Sequence, residues 1–212
     1  MQLPRTPIPV QWLFPQILFR GNAHSREVFL SFDDGPHPEA TAFVLDTLAA
    51  SGAKATFFAV GQNALRYPEL LQRIHNEGHL LGNHTMQHLH GLQTPLQQYL
   101  QSTHDCHALL KQCPAYRPLF RPPYGRITPS QYRRLRRIYR IVLWDVIAED
   151  YRSDMQPAAC LAKLRRQTRR GSVIVFHDSA RCLPLLKQVL PAFLRFLQEE
   201  GLQCKAIDTD YP

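Results

Sequence analysis

Val28-Phe29-Leu30-Ser31-Phe32-Asp33-Asp34-Gly35-Pro36 is the stretch on which the reading of this chain turns. Its first residues form an apolar run of the kind that makes a buried strand. Two adjacent carboxylates follow, and then Gly35 and Pro36, which punctuate a turn. Neighbouring side chains on a strand point to opposite faces. Asp33 and Asp34 can therefore meet at one site only where the strand ends and the chain turns. Taken alone, the stretch is as readily an Asp-rich turn that caps backbone N–H groups.

Working outward, strand-like and helix-like runs alternate. Strands are expected at Val28–Phe32, Ala55–Val60, His79–Gly82, Leu119–Phe120, Arg140–Trp144, Ser172–Phe176 and Leu202–Ile207. Helices are expected over Glu39–Ser51, Pro68–His75, Pro95–Lys111, Thr128–Arg137, Pro157–Arg170 and Leu183–Glu200. Thr128 is placed to cap its helix, and a polar loop is expected after Trp144, through Ser153. About seven apolar strands separated by helices imply an α/β protein with a parallel sheet covered on both faces. Asp33-Asp34, Asn83-His84, Arg121-Pro122, Asp145 and His177-Asp178 all fall at or just past strand ends. Such ends share one rim in a (β/α) barrel, where active sites lie. The expected fold is thus a distorted (β/α) barrel of about seven strands, similar to a TIM barrel.

The 212 residues suit one domain with a sizeable core. Residues 1–27 are read as an N-terminal arm packing on a catalytic domain over 28–212. Trp12 and Phe14 offer an alternative role as an interfacial anchor. The arm's apolar patch is broken by Pro15 and Gln16, too short to span a bilayer, and unlike a signal peptide. As written, the chain is expected to be cytoplasmic and without a transmembrane segment. A membrane-peripheral protein, or export from a longer precursor, are the alternatives. The five cysteines are odd in number and widely spaced, which favours free thiols over a disulfide framework. The net charge of +8 includes Arg-rich runs at 133–137 and 165–170 on helices. Without interleaved aromatics these read as solvated faces, and no nucleic-acid partner is expected.

Three further motifs weigh against the plain turn. In His84-Thr85-Met86-Gln87-His88, two histidines four apart can share one face. With an aspartate from Asp33-Asp34 they make an Asp-His-His set, the ligand count of an open, catalytic zinc-type site. Arg121-Pro122-Pro123-Tyr124 is a stiff loop that would hold the Arg121 guanidinium and the Tyr124 N–H in place. Val175-Phe176-His177-Asp178 ends a buried strand in a histidine suited to proton transfer. His37 and His90 flank these motifs as pocket or loop residues, and His24, His75, His79, His104 and His107 are read as structural.

In this order and spacing, SFDDGP, HTMQH, RPPY and VFH resemble the polysaccharide deacetylase family, carbohydrate esterase family 4. The resemblance implies a distorted (β/α) barrel that removes acetyl groups from N-acetylated sugars with one divalent metal. Zinc is the foremost candidate, with cobalt, nickel and manganese as alternatives. It implies Asp33 as catalytic base, Asp34, His84 and His88 as metal ligands, and Arg121 as the residue orienting the base. The Tyr124 backbone N–H becomes the oxyanion donor and His177 the general acid, tuned by Asp150. Pro123, Trp144 and Tyr151 would line the substrate pocket. The family's paired-aspartate motif maps onto Ile147, Asp150 and Tyr151, so its first Asp is replaced by Ile147 and its Trp by Tyr151. The expected partner is an acetylated carbohydrate. An O-acetyl esterase, a small-amide hydrolase and an inactive carbohydrate-binding barrel are the rival readings.

Overall fold

The computed structural model describes residues 16–208. Its elements are β1 (Ile17–Leu18), β2 (Glu27–Asp33), α1 (Ala40–Ser51), β3 (Ala55–Ala59), α2 (Gly61–Arg66), α3 (Pro68–Asn76), β4 (Leu80–Asn83) and α4 (Leu96–Leu110). They continue as β5 (Tyr116–Phe120), α5 (Pro129–Leu135), β6 (Arg140–Val142), β7 (Val146–Ile147), α6 (Pro157–Gln167), β8 (Val173–His177), α7 (Leu183–Glu199) and β9 (Gln203–Cys204). The strands pair in the order β1-β6-β5-β4-β3-β2-β8-β7, all parallel, and β9 pairs with the start of β2.

β6 and β7 lie far apart along this path, yet only Leu143, Trp144 and Asp145 join them. The sheet must therefore curl round on itself. One bent segment serves both of its ends, Arg140–Val142 pairing with β5 and Val146–Ile147 with β8. β1 lies on the other edge of β6, and the chain after it reaches β8. There Arg20 bridges Ser172, and the Gly21 N–H donates to the Gly171 carbonyl. The result is the expected (β/α) barrel, distorted because its closure rests on this bent segment and on β1.

Period-two alternation sorts the side chains of each strand. On β2, Val28, Leu30 and Phe32 face outward and pack with Val44, Leu45 and Leu48 of α1 and Leu186, Leu190 and Phe193 of α7. Phe29 faces inward and meets Leu18, Phe58, Leu119, Val142 and Val173 from five other strands. This inner apolar layer plugs the barrel below the site. Gly82 of β4 belongs here, because a Cβ at this position would lie 2.6 Å from the Phe58 ring.

Four expectations are corrected. The polar loop after Trp144 contains β7, too short for sequence periodicity to reveal. The last strand is only Gln203–Cys204 and reaches no further than Glu27 and Val28 of β2. The six-residue α2, before the helix-opening Pro68, also escaped periodicity. Asp145 is not at the active rim. It lies near the start of β8, where it accepts from Ser172 Oγ at 2.7 Å and meets Arg169 at 3.4 Å. Thr128 does cap its helix, in a reciprocal capping box with Gln131. Trp12 and Phe14 lie outside the described residues. No helix among the described residues is long and apolar enough to cross a membrane.

One buried histidine makes the fold acid-sensitive. His79, just before β4, accepts the Ala55 N–H on Nδ1 at 3.2 Å and packs edge-on against Phe57. Burial, with the charges of Lys54 and Arg73, depresses its pKa from 6.5 to about 4. As pH falls, the unfolded chain takes up this proton before the folded one. The stabilisation present above pH 6.5 is thus lost progressively towards pH 4, on the order of 2 kcal/mol by pH 5. The urea midpoint should fall between pH 7 and pH 5, and His79→Asn, which keeps an acceptor without a titrating ring, should remove most of that fall. An identical pH dependence in the variant would assign the acid sensitivity to other groups.

Candidate active site

The inward phase of three strands carries three functional groups to one place. On β2 the phase runs Phe29, Ser31, Asp33; on β8 it runs Val173, Val175, His177; after Leu119 of β5 the next inward position is Arg121. Asp33 and His177 are register partners on adjacent strands. Arg121 is fully buried. Its Nη1 donates to Asp33 Oδ1 at 2.7 Å and to Ser31 Oγ at 2.8 Å, while Nε and Nη2 reach the carbonyls of Val142 and Leu143. The guanidinium lies 4.1 Å from the centroid of the Phe58 ring. Ile147, which has no carboxylate to offer Arg121, is buried beside Trp144 and Val175.

Asp34 joins the site by a backbone turn. Its φ of 78° is in the left-handed region, so both adjacent carboxylates face the same cavity. Asn63 Nδ2 donates to the Asp34 carbonyl at 2.7 Å, and the Gly35 N–H donates to Asp178 Oδ1 at 3.1 Å. A Cβ on Gly35 would come within 2.1 Å of the Asp178 carboxylate, so the close approach requires glycine.

Asp34 Oδ1 lies 3.1 Å from His88 Nε2 and 3.6 Å from His84 Nε2. His84 Nδ1 is 2.7 Å from the Arg121 carbonyl oxygen, to which it donates, and this bond turns the Nε2 edge of the ring towards Asp34. One donor atom from each of Asp34, His84 and His88 falls within 4.8 Å of the others. Asp34 Oδ1 is buried and has no hydrogen-bond partner among the described residues. Burial by itself would raise the Asp34 pKa, but the two imidazoles override it and hold the carboxyl well below its usual range. An orphaned carboxylate oxygen facing two imidazoles fits a divalent cation.

Across the cavity, His177 Nδ1 is 2.7 Å from Asp150 Oδ1, and its backbone N–H donates to Asp150 Oδ2 at 2.8 Å. Burial pulls this imidazole down, but Asp150 above all, with Asp34 and Asp33, pushes its pKa up to about 9. The loop bearing Asp150 is anchored one residue earlier. There Glu149, at φ 60°, bonds Lys163 of α6 at 2.7 Å.

Asp33, Asp34, His84, His88 and His177 line a cavity of about 520 Å³ together with Tyr124, Trp144, Tyr151, Arg126 and Arg181, while Arg121 and Asp150 support it from behind. Tyr124, at φ 60°, packs its ring 4.7 Å from His88, and Tyr151 stands edge-on to His177 at 5.2 Å. Of the three pocket residues expected, Trp144 and Tyr151 line the cavity, whereas Pro123 is buried outside its lining. His37 and His90 do not line it either. His37 Nδ1 accepts the Ala40 N–H at the start of α1, and His90 stacks on Tyr124. Sequence reasoning placed Asp178 at the rim and Ser31 in the first motif without giving either a supporting role, and it missed Asn63 and the rim residues Arg126 and Arg181. The alternate position of Ser31 before Asp33 and the strand-end position of Asp178 are the signals the sequence offered.

Residues 20–138 match the polysaccharide deacetylase family. A peptidoglycan-N-acetylglucosamine deacetylase of Bacillus cereus is 38% identical over 163 residues, covering 76% of this chain and 59% of the relative. The peptidoglycan-N-acetylmuramic acid deacetylase PdaC of Bacillus subtilis is 33% identical, covering 74% of this chain and 33% of its own. The chain therefore spans less than two thirds of the length of either. Among solved structures, a peptidoglycan N-acetylglucosamine deacetylase superposes with a TM-score of 0.87 at 30% identity, covering 95% of each chain. A family 4 carbohydrate esterase from Streptomyces lividans, in complex with acetate, gives 0.74 at 29% identity, covering 84% of this chain and 91% of the other.

The Arg121–Asp33 pair is expected to govern stability as well as geometry. Arg121→Met leaves Asp33 buried and unpaired, and should cost about 3–5 kcal/mol in urea unfolding. Adding Asp33→Leu removes the stranded charge and should restore part of that loss. A cost below about 1 kcal/mol for the single variant would show the pair to be structurally dispensable.

Proposed function

Because the chain belongs to the polysaccharide deacetylase family, we propose that it is a metal-dependent hydrolase removing acetyl groups from N-acetylated sugars, with amino sugars of the peptidoglycan type foremost. The observation that carries this reading is the separation of charge around one cavity. Asp34 is left to two imidazoles, Asp33 to a buried arginine, and His177 to a buried carboxylate. Asp34, His84 and His88 would hold the ion, and an oxygen–nitrogen–nitrogen donor set with an open position suits zinc in the first place. When bound, the ion supplies Lewis acidity that makes water a nucleophile near neutral pH and polarises the acetamide carbonyl.

The chain's own residues divide the remaining steps. Asp33 accepts the proton of the attacking water, while Arg121 fixes the direction of its carboxylate. The Tyr124 N–H donates to the acetamide oxygen as negative charge develops there; one such donor is worth about a hundred- to a thousandfold. His177, held protonated by Asp150, delivers a proton to the leaving amine nitrogen from Nε2. Positioned acids and bases of this kind each contribute about a hundred- to ten-thousandfold. Trp144 and Tyr151 offer flat apolar surfaces to a sugar ring.

The test is acetate release from N-acetylglucosamine oligomers, peptidoglycan fragments and O-acetylated xylan, with and without added zinc, alongside metal analysis. Wild-type protein should carry about one divalent ion per chain and His84→Ala should lose it. Asp33→Asn should retain the ion while losing at least about a hundredfold in kcat. Unchanged metal content in His84→Ala, or full activity in Asp33→Asn, would overturn these assignments. Release from the xylan alone would move the reading to an O-acetyl esterase.

A further inference from the structure

The cavity is unevenly charged. The carboxylates in its lining are Asp33 and Asp34, and both are engaged, one by Arg121 and the other facing His84 and His88. The wall at position 147 is an isoleucine and contributes no charge. Two guanidinium groups complete the lining. Arg126 stands in the loop after β5 and Arg181 in the loop after β8, with β4, β3 and β2 between those strands. They therefore enter from separate sectors of the rim. Arg181 is exposed and makes no ion pair or hydrogen bond among the described residues. Asp150 sits behind His177, with both its oxygens turned to that residue.

A rim that carries two guanidinium groups, above carboxylates already engaged by Arg121, His84 and His88, attracts anions as they approach. Guanidinium pairs with carboxylate or phosphate through charge-assisted, often bidentate hydrogen bonds. A neutral sugar could offer Arg181 hydroxyl oxygens but no charge-assisted, bidentate partner. A sugar bearing an anionic group within reach of the rim would gain both steering and direct contact. The aromatic walls, Trp144 and Tyr151, would still take the ring itself.

Building on the deacetylase reading, we propose that the acetamido sugar taken by this cavity carries an anionic substituent, a carboxylate or a phosphate, which Arg181 binds at the rim. Specificity would then lie at the cavity mouth, apart from the acid, the base and the cation ligands. A negative group on the sugar would be bound away from the reacting acetamide.

The proposal is tested by binding to the metal-loaded Asp33→Asn protein, with and without Arg181→Gln. The probes are N-acetylglucosamine, N-acetylmuramic acid, which adds a lactyl carboxylate to the same ring, and N-acetylglucosamine 1-phosphate. At low salt at least one anionic sugar should bind about tenfold more tightly than the neutral one. That ratio should fall towards one in Arg181→Gln and with rising salt, and the probe with the larger ratio identifies the carboxylate or the phosphate. Equal binding, no measurable binding of any probe, or a preference that survives Arg181→Gln would overturn it. Acetate release by the wild-type protein is followed alongside. Silence on every sugar counts against the deacetylase reading, whereas release without an anion preference counts against the rim site alone.

Discussion

A guanidinium with no exposure to water organises this molecule. Burying such a charge is costly unless its donors are met, and Arg121 makes four side-chain hydrogen bonds and touches four strands or their ends. It bonds Ser31 and Asp33 of β2, the Val142 and Leu143 carbonyls at the end of β6, and stacks over Phe58 of β3. Its backbone completes the circuit, the N–H donating to the Asn83 carbonyl of β4 and the carbonyl receiving His84 Nδ1. The residue that holds the proposed base therefore also sets the tautomer of a proposed cation ligand. Moving Arg121 would disturb both at once.

The second constraint is the backbone at the rim. Asp34, Thr85, His88, Tyr124 and Glu149 all have positive φ, although none is glycine. Single residues in this region cost of order 1 kcal/mol or more each. They persist because neighbours hold them: Asn63 and Asp178 grip the Asp34–Gly35 turn, and Lys163 grips Glu149. Each turn aims or anchors a group at the cavity that regular strand geometry would have sent elsewhere. Stored strain and convergence of charge are here the same feature.

Three ionic systems share the cavity, each with its own bonded partners although their charges are felt across it. Asp33 is committed to Arg121, His177 to Asp150, and Asp34 to the two imidazoles. Adjacent aspartates can thus differ in chemistry because their partners differ, even though their side chains are identical. The proton-accepting, proton-donating and cation-holding roles proposed for them follow from this partition. Arg181 at the rim, with no ion pair among the described residues, stands outside this partition, and its proposed role is accordingly in which sugar binds rather than in bond breaking.

What the sequence determined by itself was local and periodic. Alternation on Val28–Asp33 and Val173–His177 marked the strands and placed Asp33 and His177 at their ends, and His84-x-x-x-His88 and Arg121-Pro-Pro-Tyr124 stood out in the same way. Short-range chemistry also sufficed for the Thr128 cap and for Gly52 ending α1. What only the tertiary structure decided was non-local. β7 is two residues long and exists because β8 pairs with it, so no periodicity could announce it. Asp145 follows a strand-like run just as Asp33 does, yet the bend between β6 and β7 sends it to Ser172 and Arg169. Asn63, Ser31 and Asp178 become supports of the site through hydrogen bonds that close over 29 to 143 residues of sequence. Propensity and alternation act between neighbours in the chain, whereas register, curl and the pairing of buried charge depend on which strands come to lie side by side.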